Sequence, residues 1–321
     1  MPHNSPLDYG AVRPQAARRD APAWEIASVP ERYSVPEAEA FCRAIARRHY
    51  ENFTVATRLV PPRLRQHLAN VYAFARWSDD LADESGSPDA ARAALLAWRE
   101  RLERCFAGRP DHPVFVALAV TIRDAGLTIE PFSDLLDAFE QDQVITRYPD
   151  RVSLLDYCRR SADPVGRIVL ALEGCRDAER VALSDAVCTG LQLINFWQDV
   201  KRDRLAGRVY LPADDMRRHG VEEPVLDAER AGPQLVALVR EEVAWARDWL
   251  RRGLPLARIA PPVLRPAVGM FVRGGLAIAD AIEKAGYDTL ARRPTVSRTT
   301  KALLAARAWW GMMATLGRRT A

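Results

Sequence analysis

Between Val35 and about residue 285, prolines and glycines fall in clusters, and the stretches between clusters carry apolar residues at intervals of three and four. The clusters are Pro61-Pro62, Gly86-Ser87-Pro88, Gly108 to Pro113, Pro131, Pro149, Gly207, Gly220 to Pro224, Gly232-Pro233 and Pro261-Pro262. Proline lacks an amide donor and clashes with the preceding turn, so such clusters mark helix boundaries. Strand-like alternation is scarce, and the spacing predicts roughly ten helices rich in alanine, leucine and arginine. With 48% of 321 residues apolar, the expectation is an all-α single domain over residues 34–308 with an apolar pocket between helices. Prolines at 2, 6, 13, 22 and 30 break any earlier pattern, so residues 1–33 are expected to form a flexible leader and 309–321 a carboxyl-terminal tail.

The same composition excludes disorder as the main state. Forty-six basic and 42 acidic residues leave a charge of +4 with no concentrated patch, so no nucleic-acid partner is expected. The basic side is nearly all arginine, with lysine only at 201, 284 and 301; its planar fork suits carboxylates and phosphates. Cys42, Cys105, Cys158, Cys175 and Cys188 are widely spaced, odd in number and form no C-x-x-C pair, which reads as reduced core cysteines of a cytosolic protein. Residues 1–31 hold no signal-like apolar run, and the longest apolar stretch, Val114 to Ile122, is short of the roughly 20 residues of a membrane span. The chain is therefore expected in the cytoplasm, at most peripheral on the inner membrane.

Two acidic segments carry the chemistry. Asp79-Asp80-Leu81-Ala82-Asp83-Glu84 follows an apolar helical run, and helical spacing sets Asp79 and Asp83 one turn apart with Asp80 beside them. Like charges so close call for a cation, either arginine, with Arg76 at hand, or a divalent metal. In Gln192-Leu193-Ile194-Asn195-Phe196-Trp197-Gln198-Asp199-Val200-Lys201-Arg202-Asp203, the polar residues Asn195, Asp199 and Asp203 recur at every fourth position amid apolar helix. A ligand stripe made only of oxygen suits Mg²⁺, which completes its shell with waters and substrate phosphates, so a diphosphate substrate is expected. The plainer alternatives are an exposed Arg76 to Asp80 pair and pairing of Asp199 and Asp203 with Lys201 to Arg204. Two such helices facing each other across an apolar cavity would hold magnesium around a leaving diphosphate and enclose a carbocation. Tyr72, Phe74, Phe196, Trp197 and Tyr157 are candidates for its aromatic walls.

These residues resemble the squalene and phytoene synthase family, head-to-head prenyl transferases with an all-α isoprenoid-synthase fold. The resemblance runs from about Ala38 to Ala308 through Tyr72-Ala73-Phe74-Ala75-Arg76, Tyr157-Cys158 before Val165-Gly166, and Gln192 to Asp203 followed by Gly207-Arg208-Val209-Tyr210-Leu211-Pro212. It implies that Asp79, Asp80, Asp83, Asn195, Asp199 and Asp203 hold magnesium. It further implies that Arg76 and Arg208 contact diphosphate, with Tyr72 and Gln192 beside the substrate, and that Tyr157 lines the reacting centre.

Two positions depart from the family pattern. Members that condense two farnesyl diphosphates carry a basic residue in a Ser-Arg-Ser-Phe or Ser-Lys-Ser-Phe segment, where this chain reads Tyr50-Glu51-Asn52-Phe53. The usual arginine before the second motif's first aspartate is Gln198. Glu51 reverses the sign of the local field at a diphosphate subsite, so one of two subsites is expected to be weakened. With His49 to Phe53 and Ser161 to Gly166, this pattern resembles the hydroxysqualene synthase branch of the bacterial hopanoid pathway. The implied reaction takes presqualene diphosphate and water to hydroxysqualene and pyrophosphate, without NADPH. Asn52 and Phe53 then contact the substrate, and His49, Tyr50 or Tyr157 positions the water. The alternatives are condensation of two farnesyl or geranylgeranyl diphosphates and, outside enzymes, a silent assembly factor. Other enzymes of the squalene and hopanoid pathway are candidate partners. Thr299 to Arg319, with Trp309, Trp310, Met312 and Met313, reads either as a last packed helix, the favoured reading, or as a dock on anionic lipid.

Overall fold

The computed structural model describes residues 33–49 and 59–297, together with 299, 300, 303, 304 and 306. Almost all of the expected leader and all of the expected tail lie outside the described residues. Among those described, twelve α-helices and one 3-10 turn form and no strand does; a single bridge joins Arg147 and Val209. The described residues group into two compact units, one with residues 33–49 and 63–129 and the other with 59–62 and those from Glu130 onward.

The first unit holds α1 (Val35–His49), α2 (Pro62–Glu84), α3 (Pro88–Phe106) and α4 (Pro113–Ala125). Its boundaries are written in local chemistry. Ser87 accepts the Ala90 amide and Pro88 opens α3, while His112 accepts the Val114 amide and Pro113 opens α4. Gly126, at φ 58°, closes α4 in the left-handed conformation that disfavours a side chain. α1 and α3 both pack against α4. Phe74, Trp98 and Phe115 fill the core, with the Trp98 and Phe115 centroids 4.3 Å apart. Buried Asn70 donates to the Ala117 carbonyl and to Thr121, both at 3.0 Å, so its burial leaves no donor unsatisfied. His112 is buried among Phe41, Trp77, Trp98 and Phe115, and burial drives its pKa down to about 3. It stays neutral and structural.

The second unit comprises α5 (Glu130–Gln141), α6 (Arg151–Ser161), α7 (Asp163–Ala171), α8 (Ala178–Leu205), α9 (Ala213–Arg218), the 3-10 turn Glu223–Asp227, α10 (Pro233–Gly253), α11 (Leu256–Ile259) and α12 (Arg265–Lys284). α8, 28 residues long, is the spine: α6, α7, α10 and α12 all pack on it. α10 lies so close that a Cβ on Gly253 would meet the Leu183 carbonyl and the Val187 amide nitrogen at 2.9 Å, so only glycine admits this approach. Leu193, Ile194, Trp197, Leu235, Leu238, Val239 and Ile282 form the buried core along that contact. At its edge Arg151 binds Asp215 at 2.7 Å, and Glu241 and buried Glu242 at 2.9 Å.

Every proline or glycine cluster named from the sequence falls at or beside a helix end. The count exceeds ten because two stretches break where no such cluster warned: α6 and α7 part at Ala162, with φ −121° and ψ −50°, α7 and α8 part after Ala171, and α10 and α11 part at Leu254-Pro255. Cys42, Cys105, Cys158 and Cys175 are buried and all five cysteines are unbridged. No helix among the described residues is long and apolar enough to cross a membrane.

Candidate active site

The first acidic motif lies on the last turns of α2. Arg76, one turn earlier on the same helix, places Nη1 2.8 Å from Asp79 and Nη2 2.5 Å from Asp80. One guanidinium thus faces two carboxylates. Burial pushes Asp80 up to about 7 against the opposing pull of Arg76, and Glu84 and Asp79 push it further. Asp83 is exposed, and Tyr72, on the same helix, is half-buried.

The second motif occupies the carboxyl-terminal half of α8, where Asn195 is exposed and Gln192, Asp199 and Asp203 are half-buried. Each step of four residues advances about 6 Å along the axis. Asp203 is pushed up to about 7 by burial and then by Asp199, with Arg202, Arg208 and Arg293 opposing. Lys201 and Arg204 do not serve these aspartates: Lys201 donates to the carbonyls of Leu226, Asp227 and Ala228, and Arg204 binds Asp227 and Glu223. The cation on Asp199 is Arg293, from the segment after α12, which grips both carboxylate oxygens, one at 2.9 Å. Gln198, buried where the family pattern has arginine, donates to the Pro294 carbonyl and accepts from Arg293 at 3.1 Å. It therefore ties down the segment that delivers the guanidinium.

Beside this stripe lies an aromatic group. Phe196 stacks on Tyr210 at 3.9 Å between centroids and 11° between planes. Tyr157, 4% exposed, adjoins Tyr148 at 5.4 Å, Tyr210 at 6.0 Å and Phe196 at 6.3 Å. Arg208 and Asp203 line a small cavity of about 10 Å³ with Phe196 and Tyr210, room for about one water.

Among the sequence candidates, Arg76, Asp79 and Asp80 meet on α2, and Asp203, Arg208, Phe196, Tyr210 and Tyr157 gather around α8. Tyr50, Asn52 and Phe53 lie outside the described residues, and of His49 only its place at the end of α1 is described. Arg293 and Asp142, the acceptor of the Tyr157 hydroxyl, were missed by sequence reasoning. Their partners lie 94 and 15 residues away, beyond any helical periodicity.

Asp79, Asp80, Asp83, Asn195, Asp199 and Asp203 offer oxygen alone. No three His, Cys, Asp or Glu side chains among the described residues are gathered to hold a metal by themselves. At the half-buried Asp80 and Asp203, burial outweighs the pull of the nearby arginines and raises both carboxyls to about 7. This donor set fits magnesium, which takes much of its shell from phosphate and water.

Comparison with known proteins agrees with this geometry. The family profile described as squalene/phytoene synthase matches residues 46–300. Phytoene synthase 3 of Zea mays is 30% identical over 275 residues, covering 84% of this chain and 64% of that protein, so the chain spans just under two thirds of the maize enzyme. The solved squalene synthase HpnC from Alicyclobacillus acidocaldarius is 42% identical with a TM-score of 0.75, over 79% of this chain and 95% of that one. A dehydrosqualene synthase solved in complex with ligand is 27% identical with a TM-score of 0.79, over 87% and 98%. The chain belongs to the squalene/phytoene synthase family.

Proposed function

We propose that this protein converts presqualene diphosphate and water to hydroxysqualene and pyrophosphate, with magnesium and without NADPH. The observation that carries the reading is Gln198: buried and neutral, it is engaged with the segment at Arg293 and Pro294 in place of a second cation. That arrangement suits one diphosphate better than two. The greater identity to the Alicyclobacillus squalene synthase than to the maize phytoene synthase, 42% against 30%, supports the same reading.

Asp79, Asp80 and Asp83 would hold magnesium on one motif and Asn195, Asp199 and Asp203 on the other. A metal held there would supply positive charge to the leaving diphosphate. Arg76 and Arg208 serve as diphosphate contacts by charge and by their places beside the carboxylates. Tyr148, Tyr157, Phe196 and Tyr210 exclude bulk water and present ring faces to the cation.

Incubation of the purified protein with presqualene diphosphate and Mg²⁺, without NADPH, is expected to release pyrophosphate and a C30 alcohol detectable by mass spectrometry. Inertness toward that substrate with turnover of farnesyl diphosphate would contradict the proposal. It would favour the second reading, condensation of two isoprenoid diphosphates, which the match to the maize phytoene synthase supports.

A further inference from the structure

Capture of a carbocation by water requires a group that takes a proton, and on the proposed reaction no residue so far named does so. Tyr157, on α6, donates its hydroxyl to Asp142 Oδ2 at 2.7 Å, and Asp142 sits in the turn that follows α5. The carboxylate therefore lies directly behind the phenol at the centre of the aromatic group. A phenol has one proton, and here it is committed to Asp142; the Tyr157 oxygen also shares a hydrogen bond with the Tyr210 hydroxyl and keeps one further lone pair for a water. The neighbouring ring is fixed as well: Gln141, adjacent to Asp142, donates to the Tyr148 hydroxyl at 3.3 Å. Burial first, and then the negative charge of Asp142, push the Tyr157 phenol well above its ordinary range. A phenolate is thus not a resting state of this residue. Tyr157 accepts a proton only by giving up its own.

Resting on the proposed function, we infer that Asp142 is the terminal proton acceptor for the water that captures the cation, reached through Tyr157. The water oxygen forms the new bond to carbon. One of its O–H bonds breaks, and that proton goes to Tyr157 Oη. The original hydroxyl proton of Tyr157 passes to Asp142 Oδ2. The positive charge that began on carbon ends as the proton of a neutral carboxyl, and neither oxidant nor reductant takes part. Tyr157 is the relay, and Asp142, which acts through it, is a positioning residue and the proton's end point.

The test follows alcohol and pyrophosphate together from presqualene diphosphate in single turnovers with Mg²⁺. Asp142→Asn keeps an oxygen to accept the Tyr157 hydroxyl but cannot hold the transferred proton. Its ratio of alcohol to pyrophosphate is expected to fall about 10²-fold, the usual scale of a lost proton acceptor, with hydrocarbons formed by proton loss in its place. Tyr157→Phe is expected to do the same, and Asp142→Glu to restore most of the alcohol. A packing defect would lower both products and leave their ratio unchanged. An unchanged ratio in both Asp142→Asn and Tyr157→Phe would overturn the relay. If Asp142→Asn fails to fold, Tyr157→Phe decides alone. Wild-type protein that makes alcohol while the variants keep its ratio removes only the relay; wild-type protein that makes no alcohol removes the proposed function with it.

Discussion

The two acidic motifs solve the same electrostatic problem with cations from different places. On α2 the answer is local: Arg76, three and four residues before Asp79 and Asp80, is part of the same helix and only 19% exposed. On α8 it is remote: Arg293 reaches Asp199 from 94 residues away, its side chain 48% exposed, on a segment tied by Gln198. A cation at helical spacing comes with the helix and is present whenever the helix is. One delivered by a separate segment can be withdrawn without unfolding its partner. The second motif is therefore the better suited to exchange its arginine for metal and phosphate.

The largest expected effect comes from removing carboxylates. Asp80→Ala and Asp199→Ala are each expected to lower Mg²⁺-dependent pyrophosphate release by about 10²–10³-fold, with the helical circular dichroism spectrum retained. Retained activity in one of them would assign the chemistry to the other motif alone. The arginines come next. Arg76→Ala should lower stability as well as activity, because it strips the half-buried Asp80 of its nearest cation. Arg293→Ala should leave the thermal midpoint nearly unchanged and lower kcat/KM by about tenfold. If both arginines shift stability equally, the distinction between built-in and delivered cations fails.

A third acidic cluster, outside both motifs, sharpens the comparison. Burial and a hydrogen bond with Asp215 raise Glu242 to about 8 from 4.5, although Arg151 opposes the shift. Asp215 moves below its ordinary value because the Glu242 hydrogen bond, Arg151 and Arg218 outweigh its burial. One proton is thus held between two carboxyls. Between pH 4.5 and 8 the folded chain keeps a proton on Glu242 that the unfolded chain releases, so stability falls as pH rises through that window. Urea unfolding midpoints should therefore drop from about pH 5.5 to about pH 8, and Glu242→Gln should flatten the slope. The smallest effect on the proposed substrate is expected from Gln198→Arg, which adds a second cation beside Arg293: less than about threefold in kcat/KM for presqualene diphosphate, with a gain in turnover of farnesyl diphosphate. No gain on farnesyl diphosphate would contradict the role that the proposed function gives Gln198.

What could be read from the sequence follows the same division. Helix boundaries marked by Pro88 or Pro113 were legible because their causes are local: a capping side chain and a missing amide. So were the carboxylate stripes, which need only helical spacing. The break at Ala162 was hidden because alanine carries no boundary signal and the following Pro164 sits inside the first turn of α7, where proline is tolerated. Arg293 on Asp199 and Asp142 behind Tyr157 were invisible because tertiary packing, with no periodicity, brings them together.

The most direct test of the central claim, that the acidic motifs hold a diphosphate through magnesium, is calorimetry with a non-hydrolysable farnesyl diphosphate analogue. The titration compares wild type, Asp80→Asn and Asp199→Asn, each with Mg²⁺ and with EDTA. The account predicts wild-type binding that needs Mg²⁺ and a loss of about tenfold or more in each variant. Equal affinity with and without the metal, or wild-type affinity in either variant, would contradict it.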